Sequence, residues 1–117
     1  MSLTTKCLVT GGAGFIGSNL ADELVRQGAK VTIIDDLSTG YVANLEEIKG
    51  DFRFVEGNIN DETALSEAIE GAEIVFHQAA LPSVPRSVEN PVETHQACVN
   101  ATFNLLVKAR EVGVRRF

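Results

Sequence analysis

Residues 10–17, Thr-Gly-Gly-Ala-Gly-Phe-Ile-Gly, constrain this chain more than any other stretch. Gly11, Gly14 and Gly17 stand in a G-x-x-G-x-x-G spacing, with Gly12 in addition. An apolar, strand-like run (residues 5–10, TKCLVT) precedes them, and a segment with helical apolar spacing (15–27, FIGSNLADELVRQ) follows. A glycine triplet alone says little, but a triplet between a strand and a helix has a mechanism. The first glycine permits a tight turn at positive φ. Gly14 has no side chain, so backbone can come close to a pyrophosphate, and Gly17 lets the helix pack against the strand. The helix N-terminus then offers unpaired amides and a partial positive charge to phosphates. The alternative is a glycine-rich turn that holds no ligand; the strand before it and the helix after it favour the phosphate reading.

The remaining elements follow in alternation. In the first helix Ile16, Leu20, Leu24 and Val25 fall on one face, and Gly28 closes it. Residues 30–35 (KVTIID) are a β-branched strand. After a polar stretch, 45–49 can form a helical turn and 52–56 (FRFVE) alternate as a third strand. Asn60 or Asp61 can cap a helix over 61–70, which Gly71 ends. Residues 73–77 (EIVFH) are a fourth strand, and 78–90, with two of the three prolines, are predicted as a loop. Asn90 and Pro91 suit the cap and first position of a long helix. Val92, Val99, Phe103 and Leu106 are its predicted buried stripe, Gly113 its end, and 114–117 (VRRF) the first residues of a fifth strand. Such alternation requires crossovers, hence an α/β Rossmann-type, doubly wound parallel sheet. Residues 1–117 are predicted as the first part of one dinucleotide-binding domain, cut at the fifth strand, because such a fold needs a second half.

Composition narrows the partners. Apolar residues make up 44% and charged residues 22%, ordinary for a globular chain. No apolar run approaches the ~20 residues of a membrane span, and the start lacks the pattern of a signal peptide. Ten Lys and Arg against 16 Asp and Glu give a net charge of -6. That balance disfavours nucleic acid and anionic membranes, yet leaves room for a phosphate held by amides. Cys7 and Cys98 lack metal spacing and read as buried free thiols of a reducing cytoplasm.

Asp35 ends the second strand. A carboxylate there can accept both ribose hydroxyls of an adenosine and repels a 2'-phosphate. No arginine lies between 35 and 52 to receive such a phosphate, so NAD is favoured over NADP. Asp also commonly caps turns, the role expected of Asp36.

The series VTGGAGFIGSNL, IIDDLSTG, FVEGNIND, VFHQAALPSVPRSVENP and VNATFNLLVKAREVGVRRF resembles the extended short-chain dehydrogenase/reductase family in order and spacing, over essentially the whole chain. Within it the chain is similar to NAD-dependent nucleotide-sugar epimerases and dehydratases, especially UDP-glucose and UDP-N-acetylglucosamine 4-epimerases. The resemblance implies that Gly11, Gly14, Phe15, Ile16 and Gly17 line the pyrophosphate. It implies that Asp35, Leu37, Ser38 and Thr39 hold the adenosine ribose, and that Asn58 and Ile59 edge the adenine. Many relatives have Asp where Asn58 stands, and either can accept from the adenine amino group. Gln78, Ala79 and Ala80 would flank the nicotinamide-side ribose, and the loop from Ser83 through Val84 and Arg86 to Ser87 would face a UDP-sugar. The implied reaction is transient oxidation at C4 of the sugar and re-reduction, with NAD accepting and returning hydride. A dehydratase, a decarboxylase or a non-catalytic NAD-binding module stand as alternatives, and a homodimer through the long helix is implied by analogy.

Two departures stand out. Cys98 replaces an asparagine common in relatives, so it inherits no role. The family's catalytic Ser/Thr and Tyr-x-x-x-Lys lie beyond the strand starting at Val114; Tyr41 is the single tyrosine, with Leu45 at plus four. No catalytic residue is therefore expected in these 117 residues. His77 and His95 share no metal spacing and read as structural. Arg86 suits a diphosphate contact or a solvated loop charge equally.

Overall fold

The computed structural model describes residues 5–117. Four strands, β1 (Lys6–Thr10), β2 (Lys30–Asp35), β3 (Arg53–Glu56) and β4 (Ile74–His77), form one parallel sheet in the order β3-β2-β1-β4. The short apolar, β-branched runs fit strands covered on both faces. Alternate residues feed two cores. Leu8, Ile34, Val55 and Val75 meet α3 (Glu62–Ile69) and α6 (Ala101–Val112) on one side. Cys7, Val9, Val31 and Ile33 meet α1 (Phe15–Arg26) and α2 (Val42–Glu46) on the other. Helices on both faces make the sheet doubly wound, as predicted.

Helix α1 is turned from its predicted face. Gly17, Ser18, Ala21 and Leu24 are buried, Leu20 and Val25 are half-buried, and Ile16 is 66% exposed. Small residues let the helix axis come close to the glycine loop, and that close approach decides which side faces inward. Helix α2 begins at Val42, earlier than the predicted turn over 45–49.

Helix α3 is capped by Asp61, whose carboxylate accepts from the amides of Thr63 (3.0 Å) and Ala64 (3.4 Å). Gly71, at φ 74°, follows its end. Asp61→Ala is expected to lower stability by about 1 kcal/mol, read as a shift of the denaturant midpoint; an unchanged midpoint would remove the cap from the account.

The segment after β4 departs most from expectation. In place of a loop over 78–90 there is a helix, α4 (Val84–Glu89). Ser83 accepts from the Arg86 amide at 3.3 Å, and Pro85 sits in the first turn, where its missing N–H costs nothing. The long helix starts at Pro91 with the Asn90 cap as predicted, but it is not uniform. An α-helical stretch α5 (Pro91–His95) passes into a π-helical turn (Gln96–Asn100) before α6. The extra residue of that turn shifts the helix phase. Ala101, Leu105 and Ala109 are buried, whereas the predicted stripe of Val92, Val99, Phe103 and Leu106 is exposed. Residues 114–117 make a single parallel bridge, Arg116 to Ile74 on the free edge of β4, rather than a strand.

Candidate functional site

Strand order reverses between β1 and β4, and parallel sheets bind ligands beyond the carboxyl ends of strands at such a reversal. A cavity of about 660 Å³ lies there. It is lined by Gly11, Gly14, Asp35, Ser38, Thr39, Asn58, Ile59, Gln78, Ala79 and Ala80, all singled out in the sequence. Phe15, Ile16, Gly17 and Leu37 do not line it. Phe15 is 80% exposed at the start of α1, where its backbone amide belongs to the unpaired first turn.

Close backbone approach shapes the loop. Gly11 has φ 68°, and a Cβ there would stand 2.8 Å from the Ala79 backbone nitrogen and Cα. A Cβ on Gly17 would stand 2.2 Å from the Gly11 carbonyl oxygen. Gly14 is the N-cap of α1 and offers no side chain to its first-turn amides.

Asp35 joins the loop to the next strand. Its Oδ2 accepts from the Ala13 amide at 2.9 Å and its Oδ1 from Leu37, itself at φ 62°, at 2.8 Å. It thus does the turn-capping work of an aspartate, and each oxygen retains a further lone pair for a hydroxyl donor. Asp36 caps as predicted, accepting from Ser38 at 3.0 Å, and its second oxygen accepts from Asn58 Nδ2 at 3.0 Å. Asn58 Oδ1 accepts from the Asn60 amide at 2.8 Å, so part of its capacity serves the loop.

The far wall was missed. Gln96, Asn100 and Asn104 line the cavity, together with Asn60 and Glu93. Asn60 donates to the Gln96 carbonyl (2.9 Å) and Asn104 donates to Asn60 Oδ1 (2.7 Å). The signal was available, since Gln96, Asn100 and Asn104 recur every four residues in a segment otherwise read for its apolar stripe.

Ser83, Val84, Arg86 and Ser87 do not line this cavity. They belong to the α4 region, where Ser87 donates to the Val84 carbonyl at 2.7 Å and Arg86 is exposed. Tyr41 is exposed at the start of α2. His77 is held by two hydroxyls, Thr10 Oγ1 at Nδ1 (2.7 Å) and Thr102 Oγ1 at Nε2 (2.8 Å). Burial pushes its pKa below the ordinary 6.5. Cys7 is buried, and burial raises its thiol pKa; Cys98 is half-buried, contrary to expectation. Its place in the π turn leaves part of the residue at the surface. Among the described residues there is no cluster of three metal-ligating side chains and no helix long and apolar enough to cross a membrane.

A crevice at the strand reversal, floored by side-chain-free backbone and flanked by an acidic strand end, defines a dinucleotide-type Rossmann site. The chain belongs to the NAD dependent epimerase/dehydratase family, whose model matches residues 7–117. It is 46% identical over 111 residues to a UDP-glucose 4-epimerase of Corynebacterium glutamicum, covering 93% of this chain and 32% of that protein. It is 38% identical over 104 residues to a UDP-N-acetyl-alpha-D-glucosaminuronate decarboxylase of Bacillus cytotoxicus, covering 89% and 32%. The crystal structure of a UDP-glucose 4-epimerase from Stenotrophomonas maltophila, with bound NAD and formylated UDP-arabinopyranose, superposes with a TM-score of 0.87 at 32% identity, covering 94% of this chain and 34% of that one. The chain thus spans about a third of the length of these relatives.

Proposed function

We propose that residues 5–117 bind NAD as the first part of the cofactor domain of a nucleotide-sugar 4-epimerase acting on a UDP-sugar. One observation carries the binding half of this reading: the glycine loop and the Asp35 carboxylate, tied together through the Ala13 amide, line one wall of the cavity. The cavity offers glycine backbone to a pyrophosphate, Asp35 with Ser38 and Thr39 to an adenosine ribose, and Asn58 and Ile59 to an adenine. Phe15, Ile16 and Gly17 would contribute backbone amides. Gln78, Ala79 and Ala80, on the β4 side, would meet the other ribose. When bound, NAD supplies a hydride acceptor. These residues bind and orient it, and they do not include a Tyr-x-x-x-Lys, so we assign them no turnover. Ser83, Val84, Arg86 and Ser87 are assigned to the sugar-nucleotide side, outside the cofactor cavity. The decarboxylase among the relatives supports a second reading of the whole protein, a UDP-sugar decarboxylase or dehydratase with the same cofactor half.

The test is calorimetric titration of NAD+ into the 117-residue chain. Saturable binding with one site is expected, and binding that does not saturate at millimolar NAD+ would sink the reading.

A further inference from the structure

We propose that His77, neutral and protonated at Nε2, positions the Gln78–Ala79 rim of the cavity through Thr10, and that a second proton on its ring loosens that rim and weakens cofactor binding. The consequence for binding rests on the NAD reading above; the geometry does not.

The directions of the hydrogen bonds follow from counting donors. Thr10 is fully buried at the end of β1. Its hydroxyl oxygen accepts from the amides of Gln78 (3.0 Å), which also reaches the Thr10 carbonyl at 3.2 Å, and Ala79 (3.1 Å). With both lone pairs engaged, its one proton goes to His77 Nδ1, 2.7 Å away. Nδ1 is then an acceptor and Nε2 carries the hydrogen, which it gives to Thr102 Oγ1 at 2.8 Å. Thr102 passes its own proton to the Cys98 carbonyl in the π turn, at 2.5 Å. The chain is consistent from both ends, and it joins the cavity rim to the π turn on the opposite wall.

A proton added at Nδ1 would set two donors face to face. The Thr10 hydroxyl must then rotate, and it can no longer accept both amides; Gln78 keeps the Thr10 carbonyl, so the loss falls on the Ala79 amide. Gln78 and Ala79 line the cavity, and the Ala79 backbone lies so near Gly11 that a Cβ there would stand 2.8 Å from it. The groups facing the ring are Thr10 on β1, Thr102 on α6 and the Phe117 ring at 6.0 Å. Burial is what disfavours its charged form, with no charged side chain contributing. Folded chain therefore binds this proton less readily than unfolded chain, and the associated stability is lost as pH falls through the unfolded value of about 6.5.

The test uses an isotope-labelled 117-residue chain carrying His95→Gln, so that one imidazole remains. Long-range proton–nitrogen spectra are followed from about pH 8 to about pH 5. The Nε2–H tautomer is expected at neutral pH, with the Gln78 and Ala79 amide resonances moving at the His77 midpoint. NAD+ affinity, measured alongside, should fall about fivefold across that midpoint. His77→Asn presents an oxygen where Nδ1 stands and gains no proton, so it should keep neutral-pH affinity and lose the pH dependence. His77→Gln lacks that acceptor and should bind about fivefold more weakly throughout. An Nδ1–H tautomer, or amides indifferent to the His77 midpoint, overturns the proposal. If NAD+ does not bind at all, the functional reading fails, while the amide titration still decides the role of His77. Should the variants not fold, the titration of the unsubstituted ring carries the decision.

Discussion

Asp35→Ala is expected to weaken NAD+ binding at least about tenfold, about 1.4 kcal/mol, while NADP+ binding, weak to begin with, changes less. The carboxylate at the end of β2 faces the cavity, and a 2'-phosphate there would meet its charge. Competition titrations of the two cofactors check this, and equal losses for both would end the ribose assignment. The substitution has a second effect that must be measured separately. Asp35 holds the amides of Ala13 and Leu37. Leaving them without that acceptor costs about 1–3 kcal/mol wherever water does not replace it. Asp35→Asn keeps a single acceptor oxygen and discards the charge. It should recover part of the stability without restoring the preference for NAD+.

Gly17→Ala should be more damaging still. The new methyl would lie 2.2 Å from the Gly11 carbonyl oxygen and 2.9 Å from its carbonyl carbon, both backbone atoms of the loop. Helix α1 would have to lift from the sheet, taking the buried Ala21 and Leu24 with it. A loss of at least about 3 kcal/mol and of NAD+ binding is expected, read from chemical denaturation and calorimetry. Gly113→Ala is the control. Gly113 has φ 82° but open space around it, so only backbone strain of about 1 kcal/mol should appear. If the two variants were equally stable, the close packing of the loop would not matter as argued.

The features readable in the sequence are those set by neighbours along the chain. The glycine loop between strand and helix, the strand alternation, the Asp61 cap and Asp35 all depend on local order, and the structure places them as expected. The two misplaced helix faces share a cause, which is packing that overrides apolar count. Ile16 and Phe103 are large and apolar, yet Gly17, Ala21, Ala101 and Ala109 face inward because small residues bring a helix closest to a sheet. The two prolines of residues 78–90 suggested a loop, although Ser83 followed by Pro85 is also how a helix starts. The carboxamide wall escaped notice because Gln96, Asn100 and Asn104, although four residues apart, lie in a segment read for its apolar stripe.

That turn has a consequence for which changes this segment can absorb. Gln96 and Asn100 line the cavity, while Leu105 and Ala109 are fixed in the core beyond them. A π turn holds one residue more than an α turn in nearly the same rotation, so deleting one residue from it would restore α-helical pitch and leave the flanking helices on their present faces. A deletion at the start of α6, which has no residue to spare, would instead turn everything before it by about 100° relative to Leu105 and Ala109. The turn is thus the one place in this helix where the chain can lose a residue and keep both its core face and its cavity face.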